Sequence, residues 1–232
     1  MSKKLFISAG NRGIGLEFVR QYLKEGWQVF ATARKPGEAE ELKLLREENP
    51  EALKILKLDV TIPEAVEAVG RTMERLTDGL DLVINNAATY GTKKDFPRLN
   101  SRDIEDVFDT NCLGAFRLTR RLFPLIESAR GNIIFITSLM GSIEDNRSGG
   151  AYPYRISKAA LNMLGKTIAE DYKNHGIYTL LLHPGWVKTR MGGPGAKISP
   201  EESVAGMRKV IKKLDSNMTG YFYGYDGQPR PW

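Results

Sequence analysis

Ser8-Ala9-Gly10-Asn11-Arg12-Gly13-Ile14-Gly15 follows the short apolar run Leu5-Phe6-Ile7 and leads into a helical pattern over residues 14–25. A glycine-rich turn between a first strand and a first helix is where a doubly wound sheet holds a dinucleotide. The helix N-terminus there offers unbonded N–H groups and the positive end of its dipole to a diphosphate. The same turn without a ligand is an ordinary way into a helix, so its surroundings must decide. Outward from it, apolar runs alternate with amphipathic stretches. Strands are expected at residues 4–8, 28–33, 53–58, 80–85, 132–138, 178–183 and 221–223, and helices at 14–25, 38–48, 63–76, 101–129, 154–175 and 200–214. Parallel neighbours need a crossover helix, and right-handed crossovers cover both faces of the sheet. The expected fold is α/β, a single-domain doubly wound parallel sheet of Rossmann type with helices on both faces over residues 1–232.

Composition narrows the function. With 41% hydrophobic and 27% charged residues the chain has the make-up of a globular domain with a substantial core. Its longest apolar runs, such as Ile133-Ile134-Phe135-Ile136, fall far short of the roughly 20 residues that span a bilayer. Two lysines precede an apolar run too short for a secretory signal, so no membrane association and a cytoplasmic location are expected. Cys112 is the only cysteine and His175 and His183 the only histidines, which argues against a disulfide, a metal site or a Ser-His hydrolase. The net charge of +6 is scattered among 28 acidic residues without basic runs interleaved with aromatics. That is a solvated surface with some attraction for anionic ligands, not a nucleic-acid interface.

The end of the second strand bears on which dinucleotide. An acid about 20 residues beyond the glycines would accept from the ribose 2′-hydroxyl of NAD(H), whereas a cation suits the 2′-phosphate of NADP(H). Ala31-Thr32-Ala33-Arg34-Lys35 contains no acid; Arg34 offers a planar fork, Lys35 adds charge and Arg12 approaches from the glycine turn. Taken alone Arg34 is equally a solvated strand-end charge. With the turn beside it, NADP(H) is favoured and NAD(H) is the alternative. Further along, Tyr154-Arg155-Ile156-Ser157-Lys158 places a phenol and an ammonium four residues apart on one helix face. A nearby cation favours phenolate and draws the tyrosine's pKa toward the working range of a general acid-base group. Tyr152 lies on another side and precedes Pro153, which biases it away from helix. In isolation the Tyr154–Lys158 spacing is also that of an exposed helical pair.

Together these segments resemble the short-chain dehydrogenase/reductase family over essentially the full length. Its TGxxxGIG pattern aligns on Gly13-Ile14-Gly15, with Ser8 at the Thr and Ala9 at the first Gly. A methyl at that point implies a negative φ at Ala9, with Gly10 supplying any unusual backbone. NNAG appears as Asn85-Asn86-Ala87-Ala88, and PGxVxT as Pro184-Gly185-Trp186-Val187-Lys188-Thr189. The resemblance implies cofactor contacts from Ser8, Gly10, Asn11, Arg12, Gly13, Ile14, Gly15, Arg34, Asn85, Tyr154, Lys158 and Pro184, and from Val187 backbone and the Thr189 hydroxyl at the nicotinamide. Asp59 and Val60 match an adenine-contacting pair, though by position Asp59 could equally cap the helix entered at Pro63.

The same resemblance implies a catalytic set of Asn111, Ser138, Tyr154 and Lys158. Ser138 orients the substrate oxygen, Tyr154 gives or takes its proton, and Asn111 holds a water joined to Lys158. The implied activity is NADPH-dependent reduction of an aldehyde or ketone to an alcohol, or the reverse. The segment after Trp186 and the tail Tyr225-Asp226-Gly227-Gln228-Pro229-Arg230-Pro231-Trp232 are nearest the carbonyl reductase and C-factor/sniffer-like members. An NADP-binding signalling or scaffold protein with little turnover is therefore the alternative; an epimerase would carry a longer substrate domain. Ser138, Met140, Trp186 and Met191 are the candidate substrate contacts, under a short lid at about 190–199, although the last three are equally core or lid packing. Family members commonly pair through the long helices, implying a homodimer or homotetramer with Phe116 and Met163 as contacts unless they are buried within the subunit.

Overall fold

The computed structural model describes residues 2–232. The strands are β1 (Lys4–Ile7), β2 (Gln28–Ala33), β3 (Leu53–Lys57), β4 (Leu82–Asn85), β5 (Asn132–Ile136), β6 (Thr179–His183) and β7 (Phe222–Gly224). They form one sheet in the spatial order β3-β2-β1-β4-β5-β6-β7, and every neighbouring pair is parallel. Helices α1 (Gly13–Lys24), α2 (Glu40–Glu48), α3 (Pro63–Leu76), α4 (Ser101–Phe108), α5 (Gly114–Ala129), α6 (Tyr152–Tyr172) and α7 (Pro200–Lys212) lie between them.

Side chains alternate across the sheet and both faces are covered. Leu5 and Ile7 of β1 pack with Phe18 of α1, Leu42 of α2 and Met207 of α7, while Phe6 between them packs with Val66 of α3, Leu122 of α5 and Leu161 of α6. Burial on two faces is why these strands read as unbroken apolar runs, each large side chain contributing roughly 1.5–3 kcal/mol. The chain winds outward from β1 to β3, then resumes at β4 on the other side of β1. A crevice opens beyond the strand C-termini at such a reversal. The glycine turn after β1, Asn86 after β4, Ser138 after β5 and Pro184 after β6 all stand on that edge.

Several boundaries differ from expectation for identifiable reasons. The single helix expected over 101–129 is two helices joined by a π turn, Asp109–Leu113. An inserted residue of this kind rotates the following stripe by about 100°, which a hydrophobic pattern does not reveal. The helix expected from residue 154 begins at Tyr152, with Pro153 in its first turn where a missing N–H costs nothing. That position outweighs the bias of the residue before a proline. The helix expected from residue 38 starts at Glu40 after a separate 3-10 turn, Pro36–Glu38. Among the described residues no helix is long and apolar enough to cross a membrane, and no cluster of His, Cys, Asp and Glu could hold a metal ion.

Candidate active site

The glycine turn overturns one expectation. Ala9 has φ 53°, in the left-handed region, and Gly10 does not; Gly13 has φ 51°. Gly10 is required for space instead, because a Cβ there would stand 3.0 Å from Ala31 Cβ and 3.2 Å from Val19 Cγ2. The left-handed alanine costs about 1–2 kcal/mol and is held from both ends. Its N–H donates to Thr32 Oγ1 at 3.1 Å, and its carbonyl accepts from Asn86 Nδ2 at 3.1 Å. Ser8 is buried, its hydroxyl accepting from the backbone N–H groups of Asn86 and Ala87 at 2.9 and 3.0 Å. Ser8 and Asn86 therefore fasten the turn to the end of β4. Asn85 turns its amide the other way, to Thr119 of α5 at 2.9 Å. Only the alternation of side chains at a strand end separates the two asparagines, and that was the available signal for Asn86.

Arg12 stands at the N-cap of α1 without a side-chain cap bond, and no acid occupies the first turn. The helix's opening N–H groups are thus left to the crevice. Partial burial and then the neighbouring cations Arg190 and Arg34 lower the pKa of Arg12. None of these three arginines pairs with a carboxylate among the described residues, whereas Arg20, Arg117, Arg121, Arg208 and Arg230 all do. Lys35 is engaged by Glu38 at 2.9 Å. Mutually repelling guanidiniums beside an open helix N-terminus are an arrangement that suits an anion. Asn11 and Ile14 are half-buried in the same turn. Asp59 accepts from Thr61 N–H at 3.1 Å and from its hydroxyl at 2.7 Å; Val60 is buried against Gly114, where a Cβ would meet Val60 Cγ2 at 2.6 Å.

Tyr154 and Lys158 both point inward from α6, 8% and 2% exposed. Burial pushes the Tyr154 phenol up to about 12, opposed by the neighbouring Ser138 hydroxyl. Burial also brings the Lys158 ammonium down to about 7. The expected lowering of the phenol by the lysine is therefore not what this arrangement gives: desolvation dominates both groups. Lys158 Nζ donates to Ile136 O at 2.7 Å and lies 5.7 Å from the centroid of the Tyr154 ring.

The surroundings of this pair are built by short contacts. Ser138 caps a 3-10 turn, Leu139–Gly141, its Oγ accepting from Met140 N–H at 3.1 Å. Gly141 lets that turn lie on α6, since a Cβ there would meet Lys158 Cβ at 2.8 Å. Asn111, brought inward by the π turn, donates to Ser157 Oγ and to Thr89 O, both at 2.9 Å, and accepts from Thr89 N–H at 2.8 Å. Both its amide hydrogens are committed, so toward Lys158 it offers only carbonyl oxygen. The clasp on Thr89 fixes the next residue, Tyr90, whose ring stacks on Tyr154 at 5.0 Å and 30°. Tyr90 lies in a loop with no periodic pattern, and nothing in the sequence marked it. Tyr152 packs on Phe96, 5.4 Å between centroids, away from this group.

The segment after β6 folds back on itself. Val187 bridges to Ile198, Lys188 N–H donates to Ile198 O at 2.9 Å, and the Thr189 hydroxyl accepts from Gly192 N–H at 3.1 Å. Pro184 O accepts from the Ser203 hydroxyl at 2.6 Å, tying the same segment to α7. Trp186 donates from its indole to Gly192 O at 2.8 Å and lies 3.0 Å from where a Cβ on Gly195 would stand. Trp186 packs on the lid and stays 53% exposed, Met140 is half-buried beside Ser138 and Met191 is 47% exposed. Thr189 also touches the glycine turn, Cγ2 being 3.2 Å from a Cβ built on Gly13.

With this geometry in view, the family model for short chain dehydrogenase matches residues 3–197. The chain belongs to that family. It is 41% identical over 157 residues to the C-signal of Myxococcus xanthus, an alignment covering 67% of this chain and 95% of that protein. Its structure is similar to an NADPH-bound carbonyl reductase from chicken fatty liver, with TM-score 0.94, 36% identity and coverage of 100% of this chain and 99% of that one. It is likewise similar to the carbonyl reductase Sniffer of D. melanogaster, with TM-score 0.95, 32% identity and full coverage of both chains. Within this short-chain dehydrogenase the Ala9 turn, the three unpaired arginines and the Ser138–Tyr154–Lys158 group share one edge of the sheet.

Proposed function

We propose that this chain is an NADP(H)-dependent oxidoreductase that reduces an aldehyde or ketone with Tyr154 as the acid. The observation that carries the reading is that Tyr154 and Lys158, buried on α6, stand with Ser138 on the crevice edge that also bears the open N-terminus of α1 and Arg12 and Arg34, which pair with no carboxylate among the described residues. The donor set fits the dinucleotide. The turn at Gly10, Asn11, Gly13, Ile14 and Gly15 would take the diphosphate, Ser8 acting behind it, and Arg12 and Arg34 the 2′-phosphate. Asp59 and Val60 would flank the adenine, Tyr154 and Lys158 the ribose, and Pro184, Val187 and Thr189 the nicotinamide end, with Asn85 turned away to Thr119 and acting only from behind. When bound, the nicotinamide supplies or accepts the hydride.

The chain's own residues handle the oxygen and its proton. Ser138 Oγ orients the substrate oxygen, and the Tyr154 phenol, kept protonated by burial, gives it a proton. The same burial resists the phenolate that alcohol oxidation needs, which favours the direction of reduction. Lys158, brought near 7 by burial, can exchange a proton at neutral pH, and a water held by Asn111 carbonyl oxygen would join it to the proton relay. Met140, in the turn that Ser138 caps, would border the substrate, and Met191 and Trp186 would reach it from the lid at about 190–199.

A second reading is favoured by the likeness to C-signal: an NADP-binding signalling protein with little turnover. NADPH oxidation against a panel of aldehydes and ketones, run beside NADPH binding by fluorescence, separates them. Turnover supports the reductase. Binding with no turnover of any carbonyl supports the second reading, and absence of binding removes both.

A further inference from the structure

Arg155 directs its guanidinium to uncharged oxygen atoms and pairs with no carboxylate among the described residues. Nε donates to Gly149 O at 3.2 Å and to Gly150 O at 3.1 Å, one Nη to Met140 O at 3.3 Å, and the other to Ser148 Oγ at 2.8 Å. The loop it grips turns left-handed, and only its last residue, Ala151, is strained by doing so. Gly149, Gly150 and Ala151 follow one another in the left-handed region, at φ 61°, 65° and 49°. Ala151 is also the N-cap of α6 and gives no side-chain cap bond. Successive peptides of one helical sense align their carbonyls, as at a helix C-terminus, where a cation is favoured. Arg155 supplies that cation from the first turn of the helix the loop enters.

The two ends of this grip belong to different parts of the site. Met140 lies in the turn whose N–H holds the Ser138 hydroxyl, while residues 148–151 deliver the chain into α6 just before Tyr154. One rigid guanidinium therefore joins the segment bearing Ser138 to the segment bearing Tyr154, two hydroxyls that must meet the same substrate oxygen. An ammonium lacks the planar fork needed to span these acceptors. We propose that Arg155 is a positioning residue that sets the spacing of Ser138 from Tyr154 and the place of Met140 at the substrate. This rests on the reductase reading for its effect on rate, but not for its effect on the loop.

The test compares Arg155→Lys, Arg155→Met and Arg155→Ala with the parent chain. The expected result is a fall in kcat/KM for a carbonyl of about tenfold to a hundredfold in the methionine variant, with NADPH affinity unchanged. Millimolar guanidinium ion should restore part of the activity of the alanine variant and none of the parent's, and lysine should not rescue. Amide hydrogen exchange over residues 139–151, read without turnover, should quicken in the methionine variant. Unchanged exchange there overturns the clamp, and unchanged kcat/KM overturns its role in positioning. A loss of NADPH affinity and thermal stability without guanidinium rescue makes Arg155 a general structural residue and also overturns the proposal. If the parent reduces no carbonyl, the reductase reading falls while hydrogen exchange still decides the clamp.

Discussion

The carbonyl oxygen of Ala9 occupies the space that a Cβ on Gly15 would need, and Asn86 Nδ2 lies 2.6 Å from the same point. The left-handed turn at Ala9 thus packs its carbonyl into the first turn of α1, and only glycine at position 15 admits it. Ala9→Gly is expected to stabilise the chain by about 1 kcal/mol, because relief of the left-handed alanine exceeds the added freedom of the unfolded chain. Gly15→Ala is expected to cost about 2–3 kcal/mol and to weaken NADPH binding, since it expels both the carbonyl and the Asn86 amide. Urea unfolding measures the pair; an Ala9→Gly variant less stable than the parent means the methyl is held by favourable packing.

Arg34→Asp should move preference from NADP(H) toward NAD(H). The substitution removes one of three unpaired guanidiniums and sets a carboxylate where a ribose hydroxyl could donate to it. Dissociation constants for both dinucleotides on both proteins give the answer. Unaltered selectivity would make Arg34 a surface charge and leave the 2′-phosphate to Arg12 and Arg190.

What could be read from the sequence divides along physical lines. Burial on both faces writes itself into apolar runs, so Leu5–Ile7 and Ile133–Ile136 announced their strands. Four-residue spacing on a helix announced Tyr154 with Lys158. Gly10 showed that something was special in the turn but not what: tight packing against Ala31 and strained backbone both select glycine, and the strain fell on Ala9. Asn111 was legible as a residue, but the π turn that aims it inward and its clasp on Thr89 depend on tertiary contacts. Asn86 stood in the NNAG-like run, but its hold on Ala9 joins the loops after β4 and β1, and Tyr90 reaches Tyr154 of α6 from a loop with no periodic pattern.

Lys158 makes stability depend on pH in a stated direction. Burial lowers its pKa from 10.5 to about 7, so between those values the unfolded chain binds more protons than the folded one. Stability rises with pH through this window, and below it the full cost of a buried ammonium is present. Lys158→Met should therefore be more stable than the parent near pH 6 by on the order of a few kcal/mol, less the lost bond to Ile136, with the gap closing toward about pH 10. Melting of the cofactor-free proteins across that range checks it; a constant gap would place the titration elsewhere.

Phe116 and Met163, on α5 and α6, are 43% and 67% exposed, with Leu113 and Ile156 also exposed at 37% and 42%. Burial within the subunit is thus not their role, and we propose that these helices pair two copies of the chain. Light scattering at micromolar concentration should give at least a dimer, and the double variant Phe116→Glu with Met163→Glu a monomer. A monomeric parent would refute the pairing.

Tyr154→Phe should abolish carbonyl reduction and leave NADPH binding largely intact. The substitution deletes the hydroxyl beside Ser138 while keeping a ring to stack on Tyr90. Loss of a positioned acid costs on the order of a hundredfold or more. Tyr152→Phe is the matched control: its ring packs on Phe96 and its hydroxyl has no part in the Ser138 group, so activity should stay within about twofold of the parent. Steady-state NADPH oxidation with one reduced substrate and fluorescence titration of NADPH on all three proteins decide the matter. A dead Tyr152 variant beside an active Tyr154 variant would mean that the other face of α6 carries the chemistry. Full activity in both would assign the proton to a different group, leaving the buried phenol as packing beneath Tyr90.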